Sequence, residues 1–226
     1  MNEAHALRIV VDEATTVSAL AMTPEQASAA YVFAHGAGAG MAHAFMTGLA
    51  QRLAQADIAT LRFQFPYMER GSRRPDVPAV AQAAVRAAVR EAARHFAGLP
   101  LFAGGKSFGG RMTSQAQART PLEHVRGLVF VGFPLHPEGK PGIERAAHLA
   151  DVALPMLFVQ GTRDELAQLD LLQSVVEPLR PRATLHTVDD ADHSFHVRAR
   201  QGRNDARVLD ELAATIADWC VRHGAP

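Results

Sequence analysis

The chain has 226 residues and a mass of 24.3 kDa, a size that suits a single domain spanning residues 1–226. Hydrophobic residues make up 48%, which is enough for a packed core, and 23 basic and 23 acidic residues give a formal net charge of +0. A neutral chain without a basic stripe argues against nucleic acid as the main partner, and one cysteine excludes both a disulfide framework and a four-cysteine zinc site.

Short β-rich runs alternate with alanine-rich helical runs along the chain. The expected strands are Leu7–Val11, Val17–Met22, Ala30–Ala34, Ile58–Phe65, Leu99–Gly104, Gly127–Gly132, Pro155–Gln160 and Ala183–Val188. The expected helices are His43–Gln55, Asp76–Phe96 with Asp76 as its cap, Ser107–Arg119, Leu166–Leu179 and Asn204–Arg222. This alternation predicts an α/β fold whose mostly parallel central sheet has helices on both faces, with a hairpin-like pair of strands at one edge.

One motif stands out among the turns that follow strands, which is where parallel sheets bind ligands. The segment Gly105-Lys106-Ser107-Phe108-Gly109 joins a strand to a helix and matches the G-x-S-x-G nucleophile turn. A serine at the apex of so tight a turn points its hydroxyl into solvent. Glycines flank it because side chains there would collide with the neighbouring helix and strand. Ser107 is therefore the predicted nucleophile.

A serine hydroxyl is a weak nucleophile at neutral pH and needs a base. His193 is the best candidate because it lies in a loop just after the last predicted strand, and His196 is its nearest competitor. The imidazole in turn needs a carboxylate that fixes its tautomer. Asp164 follows the strand Pro155–Gln160 at the same sheet edge, and Glu165 is the second choice. No further ligands accompany the two histidines, so the sequence predicts no metal site.

Two backbone N–H groups are expected to hold the oxyanion of a tetrahedral intermediate. One belongs to Phe108, the residue after the nucleophile. The other belongs to Ala37, in the glycine-rich turn His35–Gly40 that follows the strand Ala30–Ala34. We interpret His35 as a structural residue that hydrogen-bonds within this turn.

Two nucleotide-binding motifs are matched only in part. A P-loop ending in the Gly-Lys-Ser of the nucleophile turn needs glycine at position 100, where the chain has Pro100. A dinucleotide motif that starts at Gly36 needs glycine or alanine at position 41, which is Met41, and one that starts at Gly38 reaches His43. The sequence therefore predicts no nucleotide cofactor, and no cofactor of another kind.

Five segments spread over nearly the whole chain carry a family resemblance. They are HGAGAG (His35–Gly40), GGKSFGGRM (Gly104–Met112), GFPLHPEGKP (Gly132–Pro141), QGTRDE (Gln160–Glu165) and DADHSF (Asp190–Phe195). In combination they resemble the α/β-hydrolase superfamily, most of all its small dienelactone-hydrolase-like branch with the testis-expressed and NSL-complex-related hydrolase-like proteins. That family has the order serine, acid, histidine, so the resemblance also implies Ser107, Asp164 and His193 as its triad.

The segment in which many superfamily members insert a lid is short in this chain. Only Phe133–Leu154 separates two predicted strands, so we expect minimal or no lid and an open site for small or extended acyl groups. The predicted function is that of a serine hydrolase which cleaves an ester, thioester or lactone of a small-molecule substrate through an acyl-enzyme. A non-catalytic interaction protein that keeps the hydrolase scaffold is the alternative, C–C cleavage by the same triad is a third hypothesis, and a homodimer stays open.

The expected location follows from the absence of targeting features. No apolar run approaches the roughly 18 residues of a membrane helix. Met1–Val11 lacks the basic stretch and apolar segment of a signal peptide. We therefore expect a cytoplasmic protein with no membrane partner, in a bacterium, because the alanine and arginine richness is typical of GC-rich coding.

Lysine occurs at only two positions of this arginine-rich chain, Lys106 and Lys140, and both lie inside the segments just named. We hypothesise that each position needs a compact ammonium group rather than a planar guanidinium. Lys106 would then bridge the nucleophile turn to the loop that contains Glu138.

Overall fold

The computed structural model describes residues 3–198 and 203–224. Within them the strands are β1 (His5–Val10), β2 (Thr16–Met22), β3 (Ala29–Ala34), β4 (Ile58–Phe63), β5 (Leu101–Lys106), β6 (Val125–Val131), β7 (Met156–Gly161) and β8 (Ala183–Val188). They form one sheet in the order β1-β2-β4-β3-β5-β6-β7-β8. β1 and β2 pair antiparallel, as do β2 and β4, and all other neighbours are parallel. The predicted mixed sheet with an antiparallel edge is confirmed.

Helices cover both faces of the sheet. They are α1 (Ala44–Gln55), α2 (Pro66–Glu69), α3 (Pro78–His95), α4 (Phe108–Arg119), α5 (Leu169–Val176) and α6 (Asp205–Gly224), with 3-10 helices at Glu144–Asp151 and Glu177–Leu179. Strand residues alternate between two apolar clusters, as the period of two demands. Val32 faces the cluster that contains α3, α4 and α5, whereas Tyr31 and Phe33 face the cluster of α1 and α6. None of these helices is long and apolar enough to cross a membrane.

The chain reverses its winding direction at β3, and this reversal positions the site. β3 lies between β4 on one side and β5 on the other, so the loops that leave β3 and β5 emerge side by side at the carboxyl edge. Crevices of this kind are where open α/β sheets bind ligands. The loops after β7 and β8 leave the sheet at the same edge.

Several predicted boundaries are shifted by a few residues, and for two of them the contacts give a physical reason. β5 begins and ends two residues later than predicted, and its end extends because Gly105 and Lys106 still pair with β6. Asp76 does not cap α3, which begins at Pro78, a residue without an N–H that would need a cap. The Asp76 carboxylate instead accepts hydrogen bonds from the Tyr67 N–H at 2.7 Å and from Arg70 at 2.6 Å.

Between β6 and β7 the chain forms only turns and the 3-10 helix Glu144–Asp151. No lid covers the sheet edge in this described segment, as expected from its length. The side chains that follow β3, β5 and β8 therefore meet in an open cavity.

Candidate active site

Ser107 occupies a sharp turn between β5 and α4. Its backbone has φ 49° and ψ −114°, and its N–H donates to the Val131 carbonyl at 3.1 Å. A non-glycine residue at positive φ is uncommon and strained, a feature that clusters at functional sites. A Cβ at Gly105 would lie 2.3 Å from the Ala34 carbonyl oxygen, and one at Gly109 would lie 2.6 Å from the same atom. The expected steric reason for the two flanking glycines is confirmed.

The His193 imidazole lies between the hydroxyl and a carboxylate. Its Nε2 is 2.9 Å from Ser107 Oγ, and its Nδ1 is 2.7 Å from Asp164 Oδ2. The Asp164 side chain is fully buried, while that of His193 is 15% exposed at the cavity. The structure therefore brings together the three side chains that the sequence selects, although 86 positions separate Ser107 from His193.

A buried glutamine, missed by the sequence reasoning, holds the carboxylate in place. Gln160 at the end of β7 donates its side-chain N–H to Asp164 Oδ2, and its Oε1 accepts from the Phe133 N–H at 2.9 Å. The Leu166 N–H donates to Asp164 Oδ1 at 2.8 Å. A polar residue that ends an otherwise apolar buried strand was the available signal, because buried polar groups need partners.

The second-choice residues take other positions. His196 lies in the same cavity, but its Nδ1 binds Asp205 Oδ2 at 2.5 Å and its side chain is 68% exposed. This carboxylate raises the pKa of His196 by hydrogen bonding to its charged form. Glu165 is exposed, next to the buried Asp164. Neither alternative replaces His193 or Asp164 in the hydrogen-bonded chain.

The turn after β3 lies against the nucleophile. A Cβ at Gly36 would be 3.7 Å from Ser107 Cβ, and Ala37 lines the same cavity as Ser107 and His193. Phe108, the first residue of α4, has its backbone N–H at the helix N-terminus, where intrahelical partners are missing. The two expected oxyanion donors thus lie on the two backbone segments next to Ser107.

His35 holds this turn from within the core. Its Nδ1–H donates to the Gly36 carbonyl at 2.8 Å, and its Nε2 accepts from the Phe65 N–H at 3.0 Å. The side chain is fully buried, and burial lowers its pKa to about 4. The interpretation of His35 as a structural residue is confirmed. Gln64 adds a second anchor by accepting from the Met41 N–H at 2.9 Å.

The cavity in front of Ser107 has a volume of about 550 Å³. Its apolar wall includes Phe45, Met46, Phe195 and Leu209, contributed by α1, α6 and the loop after β8. Among the residues that the structure describes, no three His, Cys, Asp or Glu side chains are grouped as a metal site. The cavity is large enough for a small organic substrate.

Lys106 does form a bridge, but not to the predicted loop. Its Nζ donates to the His193 carbonyl oxygen at 2.6 Å, in the loop after β8, whereas Glu138 lies between β6 and β7. Glu138 and Lys140 are both exposed. The prediction of a contact with the Glu138 loop is wrong, because the lysine side chain turns toward the carbonyl that follows β8.

The comparisons with known proteins agree with this architecture. In fold, the chain is similar to dienelactone hydrolase from Anabaena variabilis, with a TM-score of 0.79, 21% identity and 99% of each chain covered. It is also similar to a serine hydrolase without lid from Xanthomonas campestris, with a TM-score of 0.73, 21% identity and coverage of 97% of this chain and 94% of that chain. The esterase domain of a Rhodothermus marinus protein gives a TM-score of 0.75 at 15% identity, over 99% of this chain and 100% of that domain.

A family model for the alpha/beta hydrolase domain matches residues 27–221, which is most of the chain and includes every residue of the site described above. The superfamily resemblance expected from the five sequence segments is confirmed by this match. The chain belongs to the alpha/beta hydrolase family.

Proposed function

We propose that the chain is a serine hydrolase that cleaves an ester, thioester or lactone bond through an acyl-enzyme. The observation that carries the proposal is the continuous hydrogen-bonded chain from Ser107 Oγ through His193 to the buried Asp164 carboxylate. An arrangement of nucleophile, base and orienting carboxylate is recognised by such geometry rather than by position in the sequence. Its three members follow three different strands of one sheet edge.

In the proposed mechanism, Ser107 Oγ attacks the carbonyl carbon of the substrate while His193 Nε2 takes the hydroxyl proton. The imidazole carries its remaining proton on Nδ1, where it donates to Asp164, and the carboxylate stabilises the imidazolium that forms. The imidazolium then protonates the leaving group. Water, deprotonated by the same imidazole, attacks the acyl-enzyme. The imidazolium then returns this proton to Ser107 Oγ as the acyl bond breaks, which releases the acid and free Ser107.

The oxyanion of each tetrahedral intermediate needs hydrogen-bond donors that are already in position. We assign this role to the backbone N–H groups of Phe108 and Ala37, and the helix dipole of α4 adds a favourable field at its N-terminus. Because His35 and Gln64 fix the turn that contains Ala37, the second donor needs little reorganisation during the reaction. No cofactor enters this mechanism.

The substrate class follows from the form of the cavity. Its wall is mainly apolar, it is open to solvent, and no lid covers it in the described segment between β6 and β7. These features favour small or extended acyl groups over the long chains of an interfacial lipase. We therefore propose a small-molecule acyl substrate.

The test is labelling and turnover with matched serine variants. Wild-type protein should react with a fluorophosphonate probe and hydrolyse p-nitrophenyl acetate. Ser107→Ala should abolish labelling and lower kcat by roughly 10⁴- to 10⁶-fold without a change in Tm. Ser174→Ala is the control, because this exposed serine on α5 lies outside the cavity. Folded wild-type protein that stays unlabelled would refute the proposal and favour the non-catalytic interaction protein.

A further inference from the structure

The side chain of Lys106 connects the strand that carries the nucleophile to the loop that carries the base. Lys106 is the last residue of β5, and its Nζ donates to the His193 carbonyl at 2.6 Å across 87 positions of sequence. The same ammonium lies 5.3 Å from the centre of the Phe195 ring and 5.9 Å from that of Phe45. These two rings stack on each other with centroids 5.8 Å apart. Both kinds of contact favour the charged ammonium.

The Lys106 side chain passes close to two glycines, Gly36 and Gly132. A Cβ at Gly36 would lie 3.5 Å from Lys106 Cγ, and a Cβ at Gly132 would lie 3.0 Å from Nζ. Gly132 also has φ +70°, a conformation that other residues rarely adopt. Lysine thus runs past two glycines to a compact ammonium position, where the wider planar guanidinium of arginine fits poorly. This explains one of the two lysines in an arginine-rich chain.

The loop after β8 is also held by contacts within itself, by the segment after β7 and by Asp205 at the start of α6, which binds His196 and the Val197 N–H. Asp192 Oδ1 accepts from the Ser194 N–H at 2.8 Å and from the His196 N–H at 2.9 Å, within the loop. The Arg163 N–H, after β7, donates to the Ala191 carbonyl at 2.9 Å. Lys106 adds a bond from the nucleophile strand to the backbone of the base itself.

We propose that Lys106 is a positioning residue of the active site, whose ammonium fixes the His193 backbone and so keeps the imidazole aligned with Ser107. The proposal rests on the serine hydrolase function proposed above. Lys106 does not touch the reacting atoms in this role. It acts through His193, in the way that outer residues hold the groups that perform the chemistry.

The charge on Lys106 should set an alkaline limit to activity. Burial lowers the pKa of Lys106 to about 8, against the opposing effect of the nearby carboxylates of Asp164, Asp192 and Glu165. These three carboxylates are the titratable groups that act on Lys106 from the segments after β7 and β8. Above pH 8 the neutral amine retains only an uncharged hydrogen bond to the carbonyl, which is weaker.

The first experiment removes the ammonium and keeps an unbranched stem. Lys106→Met should lower kcat by about 10- to 100-fold, the loss of one charge-assisted hydrogen bond, with little change in KM. Lys140→Met is the matched control, because Lys140 is the other lysine and is exposed, and this variant should keep wild-type kcat. Wild-type kcat in folded Lys106→Met would overturn the proposal.

The second experiment is a pH profile of kcat between pH 6 and 10. Wild-type kcat should fall above pH 8, and the residual kcat of Lys106→Met should lack this fall. A structural role alone would give both proteins the same alkaline profile. Two profiles that fall in the same way above pH 8 would therefore overturn the proposal.

The third experiment restores the charge chemically. Cys220, the single native cysteine, is fully buried, so an engineered thiol can be alkylated selectively. Lys106→Cys treated with 2-bromoethylamine regains an ammonium at nearly the same reach and should recover at least about 10-fold in kcat. The same variant treated with iodoacetamide gains a neutral amide and should not recover. Equal activity after both treatments would overturn the proposal.

These outcomes are separate from those that test the hydrolase function. If the hydrolase proposal fails, wild-type protein is not labelled by fluorophosphonate at all. If only the Lys106 proposal fails, wild-type protein is labelled at Ser107 and Lys106→Met is labelled at the same rate.

Discussion

His35 and His193 follow two strands of the same sheet edge, and each has a hydrogen-bond partner at both ring nitrogens. The partners of His35 are backbone groups, the Gly36 carbonyl at 2.8 Å and the Phe65 N–H at 3.0 Å. Those of His193 are side chains, the Asp164 carboxylate and the Ser107 hydroxyl. His35 is fully buried, whereas His193 is 15% exposed at a cavity.

These partners decide what each imidazole can do. The Phe65 N–H occupies the Nε2 lone pair of His35 permanently, so this ring has no free basic nitrogen, and burial keeps it neutral. The Nε2 of His193 meets a hydroxyl that can give up its proton, and a carboxylate lies at the opposite nitrogen to stabilise the charge. Similar positions after a strand therefore produce a structural residue in one case and a candidate base in the other.

Replacing each histidine in turn is the strongest test of this difference. His193→Ala should lower kcat by roughly 10⁴-fold or more with little change in Tm, because the base is lost and the ring is partly exposed. His35→Ala should cost about 2–4 kcal/mol of unfolding free energy, since it leaves a cavity and an unpaired Phe65 N–H. Urea unfolding measures the unfolding free energy of each variant, and p-nitrophenyl acetate hydrolysis measures its kcat. Equal losses of unfolding free energy in the two variants would contradict the distinction between His35 as a structural residue and His193 as the candidate base.

The carboxylate behind His193 can be neutralised without changing its shape. Asp164→Asn should lower kcat by about 10⁴-fold at neutral pH, because the amide favours the wrong imidazole tautomer and cannot stabilise the imidazolium. The control is Glu165→Gln, which neutralises the exposed carboxylate next to it and should keep turnover within a few-fold of wild type. A larger loss in the Glu165 variant than in the Asp164 variant would reverse the assignment of the acid.

The neutral state of His35 should appear in the pH dependence of stability. Its pKa is about 4 in the folded chain and about 6.5 when unfolded, so the unfolded state binds the proton more readily as pH falls. Unfolding free energy should therefore fall by about 2 kcal/mol between pH 7.5 and pH 5 from this residue alone. The variant His35→Gln cannot titrate at this position. In urea unfolding, its unfolding free energy should therefore fall by about 2 kcal/mol less than that of the wild type between the two pH values.

His196 should show a small effect of the opposite sign. Its pKa is raised by Asp205, so its contribution to stability is present below the unfolded pKa and is lost as pH rises through the folded one. Because the pair is exposed, His196→Ala should cost less than about 1 kcal/mol at pH 6, and less still at pH 9. A cost that grows with pH in urea unfolding would contradict this sign.

The sequence could select the three side chains that the structure brings together because they follow separate strands of a parallel sheet. Once Ser107 is recognised from its flanking glycines, the sheet edge limits the acid and base to loops such as those with Asp164 and His193. The boundaries of β5 were less predictable, because Gly104 and Gly105 carry no side chain whose periodicity could be read. Glycine is needed at these two positions because a Cβ would collide with a backbone carbonyl of a neighbouring strand, that of Val129 at Gly104 and that of Ala34 at Gly105.

Contacts distant in sequence could not be predicted from local pattern. The unusual use of lysine indicated that Lys106 has a special environment, but only the folded structure pairs it with the His193 carbonyl. Gln160 was missed for a related reason. Its hydrogen bonds to Asp164 and to the Phe133 N–H depend on the folded arrangement in which β6 and β7 are neighbours in the sheet.

The position of β8 at the end of the sheet has a consequence for inactivation. β8 pairs with β7 on one side only, and just its first and last residues are buried. Strands of this kind open locally at a lower free energy than the core. Mild denaturant should therefore separate the His193 imidazole from the Ser107 hydroxyl, so that turnover is lost. The fluorescence of the buried Trp219 should remain that of the folded core at the same denaturant concentration.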